Sequence, residues 1–286
     1  LFVNAPALCE APFPLLVATI EGEEATTERH ELAMPAVLRL VDGHVHTQLA
    51  YCDNGMEAGK AIGLARDFGL RALAFTEHSG QLYFDAERYW NKSCLREGMA
   101  AARPEHRRLP AYLALKSAHE GNTVKFGLEA DCDYRGRLLA TPEDRARFDY
   151  VVGAIHGLRS LNAASPPGKE QQEEFLFLLA QMLRRRIDVL AHPFRVFRRA
   201  GHQPPEDLYR PVARMLRRHR VAAEINFHAN EPPPAFIREC LGQGVKFSFG
   251  SDAHTPAEIG DFACHLNLLR LAGFDGDPAG ILFSPC

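Results

Sequence analysis

Metal-binding residue types recur in this chain where apolar runs stop. The runs read Val41-Asp42-Gly43-His44-Val45-His46, Ala74-Phe75-Thr76-Glu77-His78, Phe126-Gly127-Leu128-Glu129, Val151-Val152-Gly153-Ala154-Ile155-His156, Val189-Leu190-Ala191-His192 and Phe249-Gly250-Ser251-Asp252-Ala253-His254. Each has strand length and strand composition, with a histidine or carboxylate at its end. One such run carries little weight, and H-x-H alone is common by chance. Six in order call for a fold that brings many strand ends to one place.

The segments between them read as helices. Met56–Phe68 has Ala58, Ile62, Ala65 and Phe68 on one stripe, and Gly69 closes it. The polar stretch Gln81–Glu120 is expected to be helical around Tyr89–Met99 and Glu105–Glu120. Pro142 opens a short helix, and Gln171–Arg185, Glu206–Arg220, Ala235–Leu241 and Pro256–Leu271 follow. Strands are expected at Val37–His46, Arg71–Thr76, Val124–Glu129, Tyr150–Ile155, Ile187–Ala191, Ala222–Ile225 and Val245–Gly250. Strands separated by helices pair in parallel through right-handed crossovers. An open sheet would hold its outer strands several spacings of about 4.8 Å apart, too far to share metals. A barrel gathers all its strand ends around one pit. The expected architecture is therefore α/β, a single (β/α) barrel of about seven strands over 37–286, preceded by an irregular arm over 1–36 that contains Pro6, Pro12 and Pro14.

Composition narrows the function classes. The 286 residues are 46% hydrophobic and 24% charged, ordinary for a globular protein. A net charge of −3 supplies no basic field for nucleic acid, which is disfavoured as a partner. Arg184-Arg185-Arg186 and Arg217-Arg218-His219-Arg220 lie at helix ends, where cations suit the dipole. The seven cysteines are scattered without a C-x-x-C pair, which favours a reducing compartment over a disulfide framework. The apolar run Phe13 to Ile20 is too short to span a bilayer, and no basic stretch precedes it. No membrane partner and a cytoplasmic location are the expectations.

The motif residues suggest roles. His44 and His46 are two apart on a strand and point to one side. Asp42 shares that face and is expected to accept a proton from a ligand ring. Glu129 reads as a carboxylate bridging two cations. His156 and His192 occupy equivalent strand ends, and Pro193 is expected to force an extended exit at His192. Asp252 and His254 are again two apart, Gly250 lets backbone approach the site, and His78 completes a cluster with His254. Arg195 and Arg159 each follow a ligand strand and are candidates to face a phosphate. Ser79–Tyr83 is expected to shape the pocket, and His228 and Glu224 to border it.

The set D-G-H-V-H at 42–46, T-E-H at 76–78, G-L-E at 127–129, His156, A-H-P at 191–193 and G-S-D-A-H at 250–254 resembles the polymerase and histidinol phosphatase (PHP) family of metallohydrolases. The resemblance implies a distorted (β/α)7 TIM-like barrel holding two or three divalent metal ions (Zn, Mn or Fe). By motif, His44, His46, Glu129 and Asp252 would hold the first ion. Glu129, His156 and His192 would hold the second, and His78 and His254 the third. Asp53, or Cys52 in its place, stands nearest the position from which the family supplies a further ligand to the third. The implied reaction is hydrolysis of a small phosphorylated substrate, a phosphomonoester, by a hydroxide shared between two cations about 3.5–4 Å apart. Asp252 or His254 would act on the leaving oxygen and Arg195 on the phosphate. The alternatives are a nucleic-acid or nucleotide phosphodiesterase of the exonuclease type and a metal-dependent amide or ester hydrolase.

Overall fold

The computed structural model describes residues 40–285, so the expected arm at 1–36 lies outside the described residues. Seven strands alternate with helices: β1 (Val41–Val45), β2 (Ala72–His78), β3 (Val124–Asp131), β4 (Val151–Ala154), β5 (Val189–Leu190), β6 (Ala222–Ile225) and β7 (Phe247–Phe249). They pair in chain order, and every pairing is parallel. Beyond the end of β7 a single parallel bridge joins Val45 to Ala253. There the His46 N–H donates to Ala253 O at 3.0 Å and the Asp252 N–H to His44 O at 2.7 Å. The sheet thus curls into a nearly closed barrel with a seam between β7 and β1, the distorted seven-stranded barrel expected.

The strands are buried on both faces because helices cover the outside; all seven residues of β2 are buried. Each covering helix buries one stripe. In Ala58–Asp67 it is Ala58, Ala61 and Ala65, and in Tyr209–His219 it is Tyr209, Val212, Ala213 and Leu216. Lys169–Leu183 packs Phe175, Leu178, Leu179 and Met182 inward. Gly69, at φ +72°, closes the first helix as its position requires. No helix among the described residues is long and apolar enough to cross a membrane.

Two helical expectations are corrected. The stretch 81–120 is broken into Ser79–Tyr83, Ala86–Trp90, Ser93–Glu97, two single 3-10 turns and Leu109–His119. The chain enters left-handed backbone at Lys92 (φ +59°) and Gly98 (φ +73°), which a helix cannot continue through. The expected helix 256–271 splits into a 3-10 turn, Pro256–Glu258, and a helix, Ala263–Leu271. Between them Gly260 (φ +71°) donates its N–H to Asp42 Oδ2 at 3.0 Å.

Candidate metal centre

The C-terminal ends of the strands bring the motif residues to one place. His44 lies in β1 and His46 directly follows it, their ring centroids 5.1 Å apart. His78 ends β2, Glu129 lies in β3, His156 and His192 follow β4 and β5, and Asp252 and His254 follow β7. Seven of these eight are buried, and His156 is nearly so. Donor atoms of His44, His46 and Asp252 lie within 4.8 Å of one another, as do those of His46, His78 and His254, and those of His78, Glu129 and His156. His192 joins through Glu129, its Nε2 2.8 Å from Oε1. Glu129 therefore stands among the groups: Oε1 faces His192 and His156, and Oε2 touches His78 and lies 3.7 Å from His44 Nε2.

The ring orientations follow from a second layer of oxygens. Nδ1 of His44 donates to Glu224 Oε1 at 2.7 Å, Nδ1 of His156 to Asp131 Oδ1 at 2.5 Å, and Nδ1 of His254 to the Asp252 carbonyl at 2.7 Å. Nδ1 of His46 lies 3.1 Å from Glu77 Oε1. In each case Nε2 is left for the centre with its lone pair.

These donors fit a cation. His44 Nε2 lies 3.6 Å from Asp252 Oδ1 and 3.7 Å from Glu129 Oε2. With Nδ1 of His44 given to Glu224, a neutral ring leaves all three atoms as acceptors; His44 Nε2 has no hydrogen-bond partner among the described residues, and Glu129 Oε2 touches Nδ1 of His78. Burial lowers the His44 pKa, but Glu224, Asp252 and Glu129 raise it well above its ordinary value, so the cluster draws positive charge, as a proton or as a metal ion. Buried acceptors facing one another repel. A divalent ion about 2.0–2.2 Å from each would satisfy them at this spacing. The carboxylates are held ionised. Burial pushes both up, but His78, His156 and His44 keep Glu129 well below the usual range, and His44, Arg195 and His46 do so for Asp252. Burial and neighbouring His46 bring His254 down to about 3, so its ring is neutral near pH 7 and offers a lone pair rather than a proton.

Arg195 enters this cluster from a short helix, Arg195–Arg199, that the sequence did not suggest. Its guanidinium pairs with Asp252 Oδ2 and donates to Nε2 of His192 (2.6 Å) and of His156 (3.0 Å). Arg159 lies outside, exposed, over the Tyr134 ring at 5.9 Å. His228 does border the site, stacked on His254 at 4.7 Å with Nδ1 3.2 Å from Glu258. Ser79–Tyr83 forms a buried helix whose first turn binds Asp131 through the Gly80 N–H at 2.8 Å.

Several placements differ from expectation. Asp53 is exposed, with Oδ1 accepting the Met56 N–H at 2.7 Å, and Cys52 Sγ accepts from Gln81 Nε2 at 3.3 Å. Neither enters the metal groupings. Asp42 does not reach a ring; it accepts the N–H groups of Ser251 and Gly260, each at 3.0 Å, and so ties the segment after β7 to β1. His192 is not extended: its φ is +26°, because its N–H is drawn to Glu224 Oε2 (2.6 Å) while its ring reaches Glu129. Phe194 (φ +71°) and Asp252 (φ +54°) are also left-handed, so strained backbone clusters at the site.

Sequence reasoning missed Glu77 and Asp131. Asp131 is two residues beyond Glu129 on the same strand, a period-two signal that was available. Glu77 offered no such signal, since its contact with His46 depends on an irregular β1–β2 register between Asp42 and Val45.

Comparison with known proteins agrees with this geometry. The PHP domain family model matches residues 42–228. A Deinococcus radiodurans protein named probable histidinol-phosphatase is 27% identical over 247 residues, 77% of this chain and 88% of that one. An Aeromonas hydrophila protein named probable phosphatase is 24% identical over 83% of this chain and 87% of its own. Among solved structures, the Lactococcus lactis histidinol phosphate phosphatase, complexed with zinc, L-histidinol and phosphate, shares the fold. Its TM-score is 0.54 at 18% identity, over 82% of this chain and 94% of that one.

Proposed function

The chain belongs to the PHP domain family, and we propose that it is a metal-dependent phosphatase acting on a small phosphomonoester, with histidinol phosphate the first candidate. The observation that carries this reading is the set of buried, mutually facing acceptors of His44, Glu129 and Asp252 at the C-terminal mouth of a parallel barrel. The names of the relatives support the choice of substrate.

His44, His46, Glu129 and Asp252 would hold one ion, and Glu129, His156 and His192 a second. His78 and His254, with His46 beside them, would serve a third. Imidazole and carboxylate donors suit zinc, manganese or iron. Bound divalent ions supply Lewis acidity, which activates water and takes up charge on the phosphoryl oxygens. The residues around them do the rest. Glu224, Asp131 and Glu77 fix the ring orientations. Arg195 is buried, with Nη1 on Asp252 and Nη2 on the Nε2 atoms of His156 and His192; rings that held an ion would no longer accept, which would leave Nη2 to donate to a phosphate oxygen. Side-chain nucleophiles are poorly disposed: Ser79 Oγ accepts the Asp131 N–H at 3.0 Å, and burial pushes the Cys52 thiol up to about 12. Water is therefore the attacking group. His254, a neutral ring, serves ligation better than protonation of the leaving oxygen.

The test is purified protein, metal content by mass spectrometry, and phosphate release across phosphomonoesters, nucleotides and short DNA. Stoichiometric metal with release from monoesters is expected. Metal-free active protein, or release from oligonucleotides alone, would overturn the proposal.

A further inference from the structure

A cavity of about 450 Å³ opens where the segment after β3 meets the end of helix Lys169–Leu183. It shares no lining residue with the metal groupings. Three guanidinium groups line it, those of Arg137, Arg145 and Arg185, against a single carboxylate, Glu143. Arg137 is paired with Asp133 at 2.9 Å. The other two have no such partner: among the described residues Asp133 pairs with Arg137, Asp144 pairs with Arg107 and Arg147, and neither Arg145 nor Arg185 joins an ion pair.

Both arginines are nevertheless held in place. Arg145 Nη1 donates to the Arg185 carbonyl at 2.6 Å, and Arg185 Nη1 to the Gln181 carbonyl at 2.6 Å. Both side chains are half-buried, and Arg145 Nε is buried without a hydrogen-bond partner among the described residues. Burial, with Arg185 beside it, lowers the Arg145 pKa, the mark of a cation short of counter-charge. A guanidinium stays charged in such a place, so the unmet need is for an anion. The wall is preformed: Leu138 bridges back to Cys132, and the Leu139 N–H donates to Asp131 O at 2.8 Å. Met99, Leu138 and Pro142 supply apolar surface. The volume falls within the range of about 300–1,000 Å³ typical of small-molecule sites.

We propose that this cavity binds a small oxyanion, a phosphate- or carboxylate-bearing metabolite, gripped by Arg145 and Arg185 with its apolar part on Met99, Leu138 and Pro142. A planar guanidinium pairs with either oxyanion through two parallel hydrogen bonds.

The test uses the zinc-loaded chain and calorimetric titration with inorganic phosphate and, separately, citrate. The unsubstituted chain is expected to bind one more equivalent of anion than the Arg145→Gln/Arg185→Gln variant, whose kcat stays unchanged. That extra equivalent is expected to survive in His44→Ala/Asp252→Ala, where the metal centre is disabled. Tighter binding of one probe tells phosphate from carboxylate. Hydrogen exchange on the His44→Ala/Asp252→Ala chain gives a readout that does not depend on how the arginine variant folds: phosphate or citrate should protect amides in 137–145. Equal stoichiometry with and without the two arginines, or no anion-dependent protection of 137–145, overturns the proposal.

Discussion

Glu224 ties His44 to His192: Oε1 accepts Nδ1 of the His44 ring at 2.7 Å, and Oε2 accepts the His192 backbone N–H at 2.6 Å. One carboxylate on β6 thereby orients a ring on β1 and the strained backbone after β5. Glu224→Gln keeps one acceptor oxygen and loses the other, so it can serve only one of these donors. Metal affinity should fall by about 10- to 100-fold, as for other residues that orient a ligand. Chelator competition measures this, and an unchanged affinity would refute the orienting role.

Gly250 permits this arrangement. A Cβ there would overlap Glu224 Oε1 and come within 2.7 Å of His44 Cβ. Gly250→Ala must push the carboxylate or the strand aside, at a cost of about 1–3 kcal/mol. Denaturant unfolding should show that loss together with weaker metal binding. A variant of normal stability and normal affinity would show that the site relaxes freely.

Asp53 and Cys52 provide a negative control. Asp53 accepts the Met56 N–H, and Cys52 accepts from Gln81, so both act locally. Asp53→Asn and Cys52→Ser should leave metal stoichiometry unchanged by mass spectrometry. Loss of an ion in either would restore that residue as a ligand.

The barrel was legible because six of its seven strands are short apolar runs that stop at a histidine or carboxylate of the motif set, and that pattern survives without knowledge of pairing. What escaped depends on three-dimensional register. Glu77 meets His46 through an irregular β1–β2 pairing, which no period reveals. Arg195 was a candidate from the sequence, but its pairing with Asp252 was not foreseen, because it follows from left-handed backbone at His192 and Phe194, the first against the preference of a residue before proline. The expected helix at 89–99 failed at Lys92, a residue type that gives no hint of left-handed backbone. Asp42 looked like a ring partner by strand periodicity, but the chain after β7 brings two N–H groups to it first.

Metal should stabilise the fold as well as enable the reaction. Ligation relieves the facing acceptors of His44, Glu129 and Asp252 in the native state, and the unfolded chain has no such cluster. Free ion at a hundred times its dissociation constant adds about 2.7 kcal/mol. Treatment with a chelator should lower the thermal midpoint and abolish phosphate release, and added Zn or Mn should restore both. A midpoint indifferent to chelator would mean that ions bind elsewhere or not at all.

His265 gives the pH dependence a separate source. It is buried among Phe227, Phe249 and Phe262, with Nε2 3.1 Å from the Gly250 carbonyl. Burial brings its pKa from 6.5 down to about 4, although the hydrogen bond to Gly250 opposes the shift. Between these values the unfolded chain binds a proton that the native chain refuses, so stability rises with pH there. The contribution is fully present above about 6.5 and is lost as pH falls toward 4, up to about 3 kcal/mol at about 1.4 kcal/mol per pH unit. Other groups titrate in the same window, so the informative quantity is the difference between the unsubstituted chain and His265→Gln. Urea unfolding at pH 7.0, 6.0, 5.0 and 4.5 should give a shallower acid slope for the variant. Parallel slopes would mean that the native chain accepts the proton at His265 as readily as the unfolded one.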